Sequence, residues 1–193
     1  MRLAIFHNFM DNIGGAEMVG LTLARELQAD FYSTNIDEEK IKKMGFGGIQ
    51  LKSIGRVPLN APFRQQAALG RFRRLNLGKQ YDFYIIDGDW AVSAAVNHKP
   101  SLWYVHSPIR EIWDLCRYTR QNTVPFYLRR GFDVWAGYNR YLNKRYVRHV
   151  DKLVCNSRNT QQRIKKYLGR DATVIHPPIE TSQFQYKKTG DFW

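Results

Sequence analysis

Two cysteines, Cys116 and Cys155, stand far apart in this sequence, with neither CxxC nor Cys/His spacing around them. That scarcity argues against a disulfide framework or a zinc site and leaves two reduced, structural thiols. Long apolar runs are missing too. None reaches the ~20 residues that cross a bilayer, and Met1 leads directly into a strand, with no signal peptide ahead of it. An intracellular protein is the expectation. There is no low-complexity segment, no fixed-period repeat, no nucleophile elbow and no kinase signature, which disfavours covalent hydrolytic chemistry.

Negative charge is also in short supply. Across 193 residues, 30 Lys and Arg face 17 Asp and Glu, a net charge of +13. No acid at all occurs between Lys40 and Tyr81, a stretch that carries Lys42, Lys43, Lys52, Arg64, Arg71, Arg73 and Arg74. From Arg117 to Arg148 only Asp133 opposes a second basic stretch. Such a balance favours a polyanionic partner: nucleic acid, anionic lipid or a phosphorylated substrate. Interleaved aromatics keep nucleic acid in view as the rival partner. No helix-turn-helix, zinc-finger or RNA-recognition signature supports it, so nucleic acid is not expected.

What is present is organised around Met1 to Gln28. Leu3 to Phe6 reads as a buried parallel strand, and from Ala16 the apolar residues Val19, Leu23 and Leu27 follow a helical spacing. Gly14 and Gly15 sit at the join. They are open between two readings: a plain turn, or a helix start that lets an anion such as a diphosphate approach free N–H groups.

Further along, short strands are expected at Asp30 to Thr34, Ile49 to Leu51, Tyr81 to Asp87, Leu102 to Val105, Lys152 to Cys155 and Ala172 to His176. Helices alternate with them, including a polar one at Glu38 to Lys43, a basic one from Ala61 to Leu77 and one capped by Ser157 that ends before Gly169. Thr123 to Val150 reads as a long peripheral helix, with Tyr138, Tyr141, Leu142 and Tyr146 inward and Arg140, Lys144 and Arg148 as a cationic stripe. In the basic helix, Phe63, Ala67 and Phe72 lie roughly on one side and Arg64, Arg71 and Arg74 on another. It is open between a solvated surface helix and a membrane-facing one. The alternation implies an α/β protein with a parallel sheet and right-handed crossovers, and ligands in such sheets bind beyond the carboxyl ends of the strands.

Three polar clusters fall at those ends: Gly14-Gly15, Asp87-Gly88-Asp89 and His106-Ser107-Pro108. The two carboxylates could bridge a cation to a diphosphate, but they are few ligands, and an Asp before a helix is usually a cap or an Asx turn. His106 is open between a hydrogen-bonded structural imidazole and a group aimed into a ligand crevice. For His7, His98, His149 and His176 the sequence shows no partner.

Four segments, Ile13-Gly14-Gly15-Ala16-Glu17, Trp103-Tyr104-Val105-His106-Ser107-Pro108, Cys155-Asn156-Ser157-Arg158 and Val174-Ile175-His176-Pro177-Pro178-Ile179, taken in order, resemble the amino-terminal domain of glycosyltransferase family 4. These are the retaining GT-B sugar transferases. The Val-His-Ser-Pro and Val-Ile-His-Pro-Pro forms are similar to those of mannosyltransferases that extend lipid-linked or lipopolysaccharide glycans. The resemblance implies a Rossmann-like parallel sheet with helices on both faces, the amino-terminal half of a GT-B enzyme. It further implies that Gly14 and Gly15 approach the donor diphosphate, that Glu17, Ser107, Asn156 and Ser157 lie at the acceptor, and that His106 meets the transferred sugar or the acceptor hydroxyl. Arg64, Arg71, Arg73 and Arg74 would face the anionic membrane that presents a lipid-linked or saccharide acceptor, on the cytoplasmic side of the inner membrane. No metal or other cofactor is implied, and the nucleotide-sugar is a substrate held mainly by a second domain. That second domain's Glu-x7-Glu element is absent here. Residues 1–189 are therefore expected to be an acceptor-side domain that folds alone but transfers no sugar, with Gly190 to Trp193 opening the missing half.

Overall fold

The central strands of this chain pair where apolar runs leave no solvent-facing side. In a computed structural model that describes residues 1–12 and 14–178, β1 (Leu3–Phe9), β2 (Asp30–Thr34), β3 (Leu51–Ser53), β4 (Phe83–Ile86), β5 (Ser101–Val105), β6 (Lys152–Cys155) and β7 (Thr173–Val174) form one sheet in the order β3-β2-β1-β4-β5-β6-β7. Every pairing is parallel. The chain winds outward from β1 to β3, returns beside β1 as β4, then winds the other way to β7. The topological switch therefore lies between β1 and β4, where such sheets open a crevice.

Both faces are covered, as expected for a Rossmann-like fold. Leu3 and Ile5 pack with Phe31 and Ile85 under α1 (Gly15–Glu26) and α2 (Glu38–Lys43), through Leu21, Ala24 and Ile41. The alternate residues Ala4 and Phe6 join Tyr84, Ile86 and Trp103 on the other face, under α3 (Phe63–Arg74), α5 (Arg129–Val147) and α6 (Arg158–Leu168). Truncating a side chain as buried as Trp103, 0% exposed, costs about 3–5 kcal/mol in cores of this kind.

Helix boundaries follow local chemistry. Asp37 caps α2 by accepting from the Lys40 N–H at 3.0 Å, Ser157 caps α6 through the Thr160 N–H at 3.2 Å, and Gly169 ends α6 with a φ of 66°. The Ala91–Val96 segment is a 3-10 helix whose first N–H groups, Trp90 and Ala91, both donate to Asn8 Oδ1 at 2.9 Å. Gly88 allows this staple, because a Cβ there would lie 2.4 Å from the Asn8 oxygen.

Several expectations are corrected. The 123–150 segment is not one helix throughout: α4 (Cys116–Asn122) ends before it, and a 3-10 turn at Phe126–Leu128 follows Pro125 and leads into α5. Tyr138 and Tyr141 face solvent at 56% and 59% exposure, while Leu142 and Tyr146 are buried. Arg140 is drawn inward, its Nε donating to the Ile112 carbonyl and its guanidinium lying over Trp113. On α3 the buried residues are Ala68 and Phe72, and Phe63 is exposed. Ile13, Ile179 and Gly190 to Trp193 lie outside the described residues.

Candidate functional site

At the switch point three side chains from three adjacent strands meet. His7 stands within β1, Asp87 follows β4 and His106 follows β5. His106 Nε2–H donates to Asp87 Oδ1 at 2.7 Å, and His7 Nδ1–H donates to Asp87 Oδ2 at 2.7 Å. The carboxylate is buried, at 1% exposure. Burial alone would raise its pKa, but the hydrogen bonds from His106 and His7 outweigh that and hold it below the usual carboxylate range.

His7 also reaches Glu17 in the first turn of α1, Nε2–H donating to Oε1 at 3.3 Å. With both ring nitrogens facing carboxylates, the imidazole is a cation. Burial opposes that charge, yet the bonds to Asp87 and Glu17 prevail and push its pKa up to about 9. Glu17 is lowered in turn: burial works against the shift, and His7 reverses it. The second Glu17 oxygen accepts from the Gly14 N–H at 2.9 Å, the acid half of a capping box, so the carboxylate covers the helix start. An anion that takes the Gly14 N–H must replace this carboxylate. Beside Gly15 the space is open, for a Cβ there would meet nothing within 4 Å.

Gly20 fixes how closely α1 approaches. A Cβ at Gly20 would lie 2.5 Å from Asp87 Oδ2, so only glycine lets the helix rest on the buried carboxylate. On the other flank Asn156 Nδ2–H and Thr160 Oγ1–H both donate to the His106 carbonyl, at 3.0 and 3.2 Å. Ser157, bonded to Thr160, caps α6. Asn156 and Ser157 thus hold the His106 backbone and the α6 start. Ser107 makes a local bond, its hydroxyl donating to the Pro108 carbonyl at 2.9 Å.

Asp89 was the other half of the possible cation pair. Burial first, and then the neighbouring Glu111 charge, push its pKa up to about 7. Both oxygens of Asp87 already accept from histidines, and among the described residues no cluster of three His, Cys, Asp or Glu could hold a metal ion. His98 is a structural imidazole: Nδ1–H donates to the Ala94 carbonyl and Nε2 accepts from the Leu77 N–H.

The basic residues of α3 divide. Arg64 turns to the end of β1, pairing with Asp11 at 2.5 Å and lying 4.0 Å over the Phe9 ring, and is half-buried there. Arg71 Nη1–H and Nη2–H donate to the carbonyls of Ile54 and Arg56, at 3.1 and 2.7 Å, and so anchor the loop before α3. Arg73 and Arg74 are exposed. Among the described residues no helix is long and apolar enough to cross a membrane.

The sequence pointed to His106, Glu17 and the paired glycines, and the structure links His106, Glu17 and Gly14 through Asp87 and His7. It missed His7, which sits inside an apolar strand run and whose partner lies 80 residues away. A charged-type side chain at the carboxyl end of a central parallel strand was the available signal.

The family described as Glycosyltransferase Family 4 matches residues 13–183. No curated protein matches the chain. Among solved structures, the Anabaena protein HepE in complex with UDP and glucose superposes with a TM-score of 0.64 at 13% identity, over 94% of this chain and 46% of that one. HepE in complex with UDP-glucose gives a TM-score of 0.61 at 13% identity, over 94% and 45%. The chain thus spans less than half the length of these structures, and the likeness is one of fold.

Proposed function

Since the chain belongs to glycosyltransferase family 4, we propose that it forms the acceptor-side, amino-terminal half of a retaining GT-B enzyme that moves a sugar from a nucleotide-sugar to a lipid-linked or saccharide acceptor. The observation that carries this reading is the His7–Asp87–His106 array at the switch point of the sheet. HepE, which shares the fold, was solved with UDP-glucose, and this supports a nucleotide-sugar donor here. A mannosyl donor rests on the motif resemblance.

Asp87 occupies the Nε2–H of His106, so Nδ1 is the nitrogen left to meet a substrate hydroxyl. In that role His106 accepts from a hydroxyl of the sugar or acceptor through Nδ1 and orients it. It forms no covalent intermediate. The diphosphate leaving group takes the acceptor proton on the face from which the donor departs, and preorganised positive charge stabilises that group. The start of α1 at Gly14 and Gly15 supplies part of that charge, once phosphate exchanges with the Glu17 carboxylate or enters the open space at Gly15. Asn156 and Ser157 act by holding His106. Because both Asp87 oxygens are engaged by histidines, the transfer proceeds without a divalent cation. Arg73 and Arg74 face the anionic cytoplasmic surface of the membrane. This half alone is inactive.

The test is transfer of labelled sugar from a panel of nucleotide-sugars into a membrane lipid extract, by a polypeptide that joins this chain to a donor-binding half. EDTA-resistant incorporation with retained anomeric configuration is expected. Absence of transfer from every donor, or inversion of configuration, would overturn the reading.

A further inference from the structure

His7, 3% exposed, lies too deep to touch a substrate, and the transfer read above gives it no step. Its contacts fix its charge. Nδ1–H donates to Asp87 Oδ2 at 2.7 Å and Nε2–H to Glu17 Oε1 at 3.3 Å, and an imidazole that donates from both nitrogens is a cation. Phe31 stacks on the ring with centroids 6.1 Å apart. The facing Asp87 oxygen is shielded by α1, which Gly20 lets approach so closely that a Cβ there would lie 2.5 Å from Oδ2. In so dry a setting charges act strongly on one another.

Asp87 therefore divides one negative charge between two rings. His106 Nε2–H donates to Oδ1 at 2.7 Å, but the place of His106 does not depend on His7: Asn156 and Thr160 hold its carbonyl at 3.0 and 3.2 Å, and the Tyr104 ring meets it edge-on with centroids 5.2 Å apart. What His7 adds is charge. A carboxylate already facing one cation has a weaker pull on a second proton. Without that cation, Asp87 and Glu17 would act on His106 unopposed and favour its doubly protonated form, in which Nδ1 is a donor with no lone pair left to accept.

We infer that His7 is a positioning residue for the transfer: its imidazolium offsets Asp87, so that Nδ1 of His106 keeps the lone pair that accepts from the substrate hydroxyl. The presence of that hydroxyl rests on the transferase reading; the charge relation does not. Charged or titratable groups face the two rings from the neighbouring elements: Glu17 from α1, Asp87 and Asp89 from beyond β4, with Glu111 acting on Asp89, and Tyr104 from β5. Phe31, from β2, carries no charge. Asp89, pushed up to about 7 chiefly by burial, titrates in the same range, and it does so in wild type and variant alike.

The experiment follows by NMR the ring nitrogens of this chain, made with isotope-labelled histidine, against pH, with His106→Ala for assignment. In His7→Gln the titration of His106 should move up by about one pH unit, which is tenfold in proton affinity. Glu17→Gln, at a more exposed position, is the second variant: His7 loses one of its two carboxylates, its own titration should fall below about 9, and the His106 signals should shift in step with it. In the two-half protein His7→Gln should lower turnover several-fold at pH 7 and by less at pH 8.5, a dependence that mere loosening of the fold would not give. A His106 titration unmoved in His7→Gln, His106 signals that ignore the His7 titration in Glu17→Gln, or a turnover loss equal at both pH values would overturn the assignment. Shifted titrations without transfer from any donor would overturn the transferase reading and leave the charge relation; transfer by His7→Gln at the wild-type rate and pH profile would do the reverse.

Discussion

His106 Nε2 and Asp87 Oδ1 stand 2.7 Å apart at the carboxyl ends of neighbouring strands, and the second Asp87 oxygen is bonded to His7. One buried carboxylate therefore sets the tautomer of His106 and the charge of His7 together. Exchange of either partner should be felt by the other.

Asp87→Asn tests this coupling. The amide cannot accept from both rings at both positions, so one imidazole nitrogen loses its partner. Unfolding free energy should fall by about 3 kcal/mol, as when one member of a buried charged pair is removed, and the His7 pKa should move down from about 9 toward 6.5. Ring-proton NMR titration reads the shift; an unmoved His7 would contradict the coupling.

Stability should depend on pH in a set direction. The folded His7 pKa, about 9, lies above its ordinary 6.5, so its contribution is complete below 6.5 and lost as pH rises through 9; for this buried group the loss is about 3 kcal/mol. Asp87 and Glu17 are depressed, so theirs is complete above the ordinary carboxylate range and lost as pH falls below it. Asp89, raised to about 7, loses its share between the ordinary carboxylate range and pH 7, so urea unfolding should show stability declining as pH rises through 7 and on toward 9, and the part of the decline above pH 7 should disappear in His7→Gln. A profile flat from pH 6 to 10 would contradict it.

Two glycines, one at the start and one in the middle of α1, separate fold from site. A methyl at Gly20 would come within 2.5 Å of Asp87 Oδ2, and Gly20→Ala should cost about 1–3 kcal/mol. At Gly15 a Cβ meets nothing within 4 Å, so Gly15→Ala should leave stability equal or raised by about 0.5–1 kcal/mol. If a donor diphosphate approaches there, the same substitution should lower donor affinity several-fold. Thermal melts and a donor titration of the two-half protein distinguish the effects; a Gly20→Ala protein as stable as wild type would contradict the packing.

Much of the fold was legible because its central strands are buried on both faces. The apolar runs at Leu3 to Phe6 and Tyr84 to Ile86, the Ser157 cap and the Gly169 stop are local signals, and local physics decided them. The site was legible only in part. His106, Glu17 and the glycines sit at element boundaries, where a polar residue stands out, whereas His7 hides in a strand and meets Asp87 only through the β1–β4 pairing. Nor could spacing reveal that Arg64 would be claimed by Asp11 and Phe9, or that Tyr138 and Tyr141 would turn outward. Those outcomes depend on elements distant in sequence.

The proposed membrane contact through α3 rests on Arg73 and Arg74, which are exposed. Reversing both to Glu should weaken sedimentation with anionic vesicles several-fold at low salt, with little loss of melting temperature, since the only such tie among the described residues is the exposed bond from Arg73 to Asn97 at 3.4 Å. Arg71→Glu should instead lower the melting temperature, because it releases the Ile54 and Arg56 carbonyls. Unchanged vesicle binding in the double reversal would exclude this helix as the contact.

The central claim, that His106 held by Asp87 meets the reacting sugar or hydroxyl, is tested most directly by turnover of His106→Ala in the two-half protein, at saturating nucleotide-sugar. Turnover at least tenfold below wild type, with the fold intact, is the predicted result. Wild-type turnover by His106→Ala would contradict it.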